Sequence, residues 1–430
     1  MNREILRLAL PSILSNISVP LLSTVDTALM GRLSEVHIGA VGVGSMIFNF
    51  IYWNFGFLRM GTTGITAQAF GKQDDEAITN TLARAMIVSL LVSSLILALQ
   101  IPFAKASFFL MNVGPEQREL VNEYFFIRIW AAPATLGLIA FMGWFFGMQN
   151  AIYPLMLTIV INVANIVLSY LFVWHLGMDV AGVAWGTVLA QYIGLLLAFF
   201  LFRKKYGVFL KHFSRQAVLK LEELSRFLAI NRDIFIRTLC LTFAFGFFYS
   251  RSSAAGEIIL AVNVILMQYL NWMSFAVDGF AFASESLVGK YSGAKNEFAT
   301  RKAIRFSFAW GMFMAALFSL FYWSFGEQLL AVFTNQQAVM QAALPFLFWM
   351  IILPVLGTPS YIWDGVFIGL TASKAMRNSM MLALAVFLLS FFLLNKPMGN
   401  DGLWLALVIF LIARGGFQWV LFLRKGLTLK

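Results

Sequence analysis

Cysteine, histidine and charge are all scarce in this chain. Cys240 is its one cysteine, so no disulfide can close within the chain, and its place in an apolar stretch reads as a small buried side chain. His37, His175 and His212 are the only histidines. They fall in separate segments without metal-ligand spacing, so no metal site is expected. Asp, Glu, Lys and Arg make up 12% of the residues, against about 25% in soluble domains, which excludes an ordinary soluble enzyme. Segments of about ten residues alternating apolar and polar are missing too, which excludes membrane-spanning strands. Gly71-Lys72-Gln73 and Gly289-Lys290-Tyr291 lack the Ser or Thr and the earlier Gly of a phosphate-binding loop, so ATP drive is not expected. No nucleophile, base and orienting group fall together, so the chain presents no catalytic residue, no cofactor site and no sign of an enzyme.

Apolar residues fill the space these absences leave. They make up 60% of the chain and come in blocks with few charges, and about 20 residues of helix cross a hydrocarbon core roughly 30 Å thick. Twelve spans follow, near residues 5–31, 37–58, 84–108, 121–147, 152–174, 181–202, 233–253, 257–283, 303–325, 340–368, 377–395 and 402–423. The expected fold is an all-α polytopic membrane protein. The first block continues past the length of a secretory leader without a small-residue cleavage site, and reads as a retained helix.

The chain carries 31 Lys and Arg and a net charge of +11, yet the basic residues are dispersed among short loops, which argues against a nucleic-acid partner. Twenty-two fall at the termini and in the loops after even-numbered helices, and six on the opposite side. This asymmetry places both termini in the cytoplasm of a bacterial-type plasma membrane. Residues 203–232 form the longest polar interruption. Its middle, with Val218, Leu221, Leu224 and Leu228 on one side, reads as an amphipathic linker along the interface. Three units follow: a six-helix lobe over 1–206, a cytoplasmic linker over 207–230, and a second six-helix lobe over 231–430.

The lobes resemble each other at an offset of 218 to 222 residues, as a duplication would leave. Gly61 to Lys72 stands opposite Gly279 to Lys290, Gly143 to Gly147 opposite Gly365 to Gly369, and Pro133 opposite Pro354. Six is even, so both halves enter the membrane in one orientation and are related by an axis along its normal. Substrate then binds in or between the lobes. Such a repeat favours an alternating-access transporter over a channel, a receptor or a membrane enzyme.

Charges within the hydrocarbon are functional candidates by default. Asp26 sits in the first helix among Ser12, Ser15, Asn16, Ser18, Ser23, Thr24 and Thr27, a polar run that a lipid-facing helix does not need. Pro11 and Pro20 each remove a helix hydrogen bond and allow a bend. A carboxylate on a bendable helix is a candidate proton switch. In the second lobe Asp364, near Tyr361, is the best intramembrane acid, with Asp278 and Glu285 nearer a helix end. Arg59, Arg237 and Arg414 read as structural, pairing with carboxylates or snorkelling.

The chain resembles the multidrug and toxic compound extrusion family, in its DinF branch. The resemblance spans the whole chain and rests on Ala9-Leu10-Pro11 through Asp26 to Leu33, Leu58 to Gly71, Asn231-Arg232-Asp233, Asp278 to Ala281 and Trp363-Asp364-Gly365 through Gly369. It implies two six-helix bundles exporting organic cations, drugs or other amphiphiles in exchange for H⁺, with Na⁺ as the alternative. Asp26 resembles the family's first-helix coupling aspartate, and Pro11 the proline at which that helix bends. Met30, Asn165, Ser169 and Thr187 resemble positions lining the substrate cavity, although Ser169 stands where some relatives carry a second acid. Tyr361 and Asp364 resemble a second-lobe cation site, but its seventh-helix acidic partner is missing and Arg237 lies there instead. Membrane lipids are the other expected partners. The competing reading is a flippase of lipids or lipid-linked precursors from the same superfamily, which would call for a strongly basic cavity.

Overall fold

The computed structural model describes the backbone of residues 1–30 and 35–428, and the side chains of residues 1–18 and 36–427. Among the described residues there is no strand. In lipid every backbone polar group must find its partner within its own segment, and the helix is how a single apolar stretch does so. The spans are α1 (Asn2–Met30), α2 (Val36–Lys72), α3 (Asp75–Ala98), α4 (Pro115–Gly147), α5 (Ile152–His175), α6 (Asp179–His212), α7 (Leu221–Ala254), α8 (Glu257–Gly293), α9 (Glu297–Phe333), α10 (Gln337–Gly369), α11 (Ser373–Met398) and α12 (Asn400–Lys425). The protein is a twelve-helix, multi-pass membrane protein.

Two bounds differ from the expected ones for physical reasons. The third span was expected from residue 84, but α3 begins at Asp75, where the Asp74 side chain caps it by accepting from the Ala77 amide at 2.9 Å. Arg84 is thereby brought inside the helix. Its guanidinium is satisfied by the carbonyls of Ala217 at 2.6 Å and Val218 at 3.2 Å. The residues after Ala98 form a separate helix, Gln100–Leu110. The expected interfacial linker is likewise shorter: Arg215–Val218 makes one turn, and Leu221 already starts α7. Leu221 is 80% exposed while Phe227 and Ile230 are buried, so the inward face of this segment is not the one its leucines suggested.

Contacts divide the chain into a first unit, Leu14–Leu228, and a second, Met1–Ile13 with Ala229–Lys430. The expected boundary kept residues 1–13 with the first lobe. They pack instead on the second unit, where Glu4 accepts from the Tyr291 hydroxyl at 2.8 Å and pairs with Lys290 at 3.4 Å. Gly279 lies so close to Ala9 and Ile13 that an added Cβ would sit 2.8 Å from the Ala9 carbonyl oxygen.

The internal repeat is visible in backbone detail. Left-handed turns at Gln73, Gln149 and Gly177 recur at Lys295, Thr371 and Gly399, each pair 222 residues apart. Asp74 caps α3 as Asn296 caps α9. A Cβ on Gly143 would stand 2.4 Å from the Arg59 carbonyl oxygen, and one on Gly365 would stand 2.3 Å from that of Ala281. These glycines allow two backbones to meet at equivalent places in each unit, as small residues do in membrane bundles.

Each unit has its own aromatic interior. In the first, Trp144 packs edge-on to Phe202 and Tyr206 and donates its indole proton to the Ile78 carbonyl at 2.9 Å. In the second, the Tyr322 hydroxyl donates to the Tyr269 carbonyl and the Tyr269 hydroxyl to that of Gly326.

Candidate functional site

In the first unit one face of α5 is polar. Thr158, Asn162, Asn165 and Ser169 follow at helical spacing, so their side chains stack along a single stripe. Ser15 of α1 shares a hydrogen bond with Thr158 at 2.8 Å, and the Asn162 amide donates to the Ser18 carbonyl at 3.1 Å. On the α6 side, the Asn165 amide donates to the Thr187 hydroxyl at 2.8 Å, which itself donates to the Val183 carbonyl at 2.9 Å. Gly186 makes this closeness possible, since a Cβ there would sit 2.4 Å from Ser169 Oγ.

Asn165 and Ser169 are fully buried, and Asn165 Oδ1 and Ser169 Oγ have no partner among the described residues. Leaving a buried polar atom unpaired costs roughly 1–3 kcal/mol, so this stripe suits a ligand, a water or a proton-bearing group. The structure therefore brings Asn165, Ser169 and Thr187 together. It adds Thr158 and Asn162, which sequence reading did not single out, and ties them to Ser15 and Ser18 of the first-helix polar run. Pro11 lies within unbroken α1. The side chains of Pro20, Asp26 and Met30 lie outside the described residues.

In the second unit Asp364 is buried on α10, three residues after Tyr361. Its Oδ2 accepts from Arg237 of α7 and Arg414 of α12, and its Oδ1 from the Gln418 amide at 2.8 Å. Tyr361 shares a hydrogen bond with Ser274 of α8 at 2.9 Å, and the Arg414 guanidinium lies over its ring at 5.2 Å. Three helices, α7, α10 and α12, thus meet at one carboxylate, and α8 joins beside it through Ser274 and Tyr361. Tyr361 and Asp364 lie within one turn of each other on α10, and both Asp364 oxygens are occupied by protein donors. Of the arginines read as structural, Arg237 and Arg414 pair with an acid, and Arg59 lies over the Phe146 ring. Gln418 was not foreseen; its one signal is its place four residues after Arg414, on the same helix face. Among the described residues no three His, Cys, Asp or Glu side chains gather as a metal site would need.

Twelve helices in a six-plus-six repeat, with a buried polar stripe in one unit and a buried acid in the other, define a membrane transporter of internally duplicated type. The MatE family model matches the chain twice, over residues 11–171 and 234–395, and the chain belongs to that family. DNA damage-inducible protein F of Escherichia coli (strain K12) is 38% identical over 96% of this chain and 90% of its own length. Protein DETOXIFICATION 44, chloroplastic, of Arabidopsis thaliana is 26% identical over 96% of this chain and 80% of its own. The fold is shared with a MATE crystal structure in the bent conformation, at a TM-score of 0.89 and 21% identity over 99% of this chain and 95% of that one. A Vibrio cholerae MATE transporter in the bent form also matches, at a TM-score of 0.86 and 18% identity over 98% and 96% of the two chains.

Proposed function

We propose that this transporter exports organic cations, drugs or similar amphiphiles by alternating access, in exchange for H⁺ taken up at Asp26. The buried stripe on α5 carries the reading, with its two unpaired oxygens on Asn165 and Ser169. Its hydroxyls and amides can bond a neutral or a charged partner, so they tolerate a nearby carboxyl group in either protonation state. Asp26 is the acid set in the polar run of the first helix. Protonation removes its charge and changes which hydroxyls and amides it can bond, and Pro11 and Pro20 let α1 respond by bending. The opposite dependence, substrate displacing the proton, follows from reciprocity of coupling. In the second unit Asp364 already has two guanidiniums as its cations, which supports H⁺ over a second-lobe Na⁺ site. The charge asymmetry of the loops supports cytoplasmic termini in a bacterial-type plasma membrane.

Transport in proteoliposomes with separately imposed H⁺ and Na⁺ gradients and a panel of cationic dyes tests this directly. Dye movement driven by the H⁺ gradient alone is the expected result. Movement that requires Na⁺ and ignores a pH gradient would overturn it.

A further inference from the structure

A cavity of about 590 Å³ opens between α9, α10 and α12 of the second unit. Arg305 and Phe308 of α9, Trp363 of α10, and Leu411, Gly416 and Trp419 of α12 line it. The walls are aromatic and aliphatic, and Trp419 is 53% exposed. The gap exists because α12 carries two adjacent glycines there, and a Cβ on Gly416 would meet nothing within 4 Å.

One end of the groove is basic. Arg305 pairs with no carboxylate among the described residues. Arg301 and Lys302 lie one turn earlier on α9, and Arg424 and Lys425 end α12. The two helix ends are neighbours, since Arg301 reaches within 3.9 Å of the Cβ position of Gly426. Arg305 stands eight residues into α9, about 12 Å from its start at 1.5 Å per residue. Gly416 lies nine residues before the end of α12, about 14 Å away. The groove therefore runs from headgroup depth into the apolar half of one leaflet, whose hydrocarbon is about 15 Å deep.

We propose that this groove is a binding site for an anionic phospholipid, with an acyl chain against Phe308, Trp363 and Trp419 and the phosphate at Arg305. Basic pockets between membrane helices hold anionic headgroups by charge and tails by apolar contact. A second copy of the chain would bring a second basic mouth against this one, and like charges oppose that fit. The site also touches the ion cluster from behind: Trp363 precedes Asp364, and Gly415 follows Arg414. A bound chain braces the two helix segments that hold that ion pair. This inference is independent of the transport reading.

Native mass spectrometry of the full chain with phosphatidylglycerol and phosphatidylcholine of identical acyl chains tests the proposal. The wild type should retain phosphatidylglycerol preferentially. Arg305→Gln should reduce that preference roughly fivefold, the effect of one basic residue near an anionic lipid. Gly416→Phe, which fills the open space, should lose both lipids. Arg203→Gln, an exposed basic site on α6 of the other unit, should leave the preference unchanged. Equal retention of the two lipids by the wild type, or an equal loss with Arg203→Gln, would show only general attraction to a basic surface and overturn the site. Should a groove variant fold poorly, tryptophan quenching by brominated phosphatidylglycerol decides on the wild type and Trp419→Phe. Quenching specific to the anionic lipid should fall in Trp419→Phe, and an unchanged signal contradicts the proposal.

Discussion

Asp364 is held by three donors, and what it does follows from what its removal would leave. Asn in its place would strand two buried guanidiniums without a counter-charge. Removing one partner of a buried ion pair commonly costs about 3–5 kcal/mol. Asp364→Asn should therefore lower the thermal midpoint markedly, while Arg237→Gln should cost less because Arg414 and Gln418 keep the carboxylate partnered. The protein that does fold as Asp364→Asn should still export under a pH gradient, since the proton is assigned elsewhere. Complete loss of transport with intact folding would move the coupling role to Asp364. At the N-terminus, the Glu4 carboxylate accepts from the Tyr291 hydroxyl at 2.8 Å and pairs with the terminal ammonium at 3.3 Å and with Lys290 at 3.4 Å. Glu4→Gln removes the charge from these contacts, and hydrogen exchange of residues 1–13 should then be faster than in the wild type at neutral pH.

At the scale of elements, the two units repeat their tight contacts as well as their helices. Gly143 and Gly365 each sit on a carbonyl of the preceding helix pair, where backbone cannot move aside as a flexible side chain would. Alanine at either position should destabilise the protein by about 1–3 kcal/mol, the usual cost of overpacking. Gly416→Ala, with open space at its Cβ, should be nearly neutral, and thermal unfolding of the three variants compares them directly. The helices were legible in the sequence because an apolar block needs no partner to declare itself, and the repeat was legible because glycine and proline mark the same turns in both halves. Their ends were less so: α3 starts at its Asp74 cap, and a hydropathy reading that avoids charge cannot foresee that Arg84 finds carbonyls inside the bundle. The polar stripe was half legible. Asn165, Ser169 and Thr187 came through family likeness, whereas Thr158 and Asn162 lie on the same helix stripe and could have been found by its period alone. Gln418 could not, because a glutamine on a helix is ordinary until its distant partner is known.

For the whole molecule, the proposed orientation makes a direct prediction. In a Cys240→Ser background, a single cysteine at position 215 should be unreachable by a membrane-impermeant thiol reagent outside intact cells and should react once the membrane is opened. Labelling from outside would reverse the topology. The assignment of residues 1–13 to the second unit was not legible in sequence, since it depends on contacts such as Glu4 with Tyr291, 287 residues apart. Coupling itself belongs to this scale, because a proton at one residue must change what the protein does to a substrate. The most direct test is dye export by Asp26→Asn in proteoliposomes under an imposed pH gradient, beside the wild type at equal folded protein. Loss of gradient-driven export, together with loss of the pH dependence of substrate binding, is the result expected. Export at the wild-type rate would show that Asp26 is not the proton carrier.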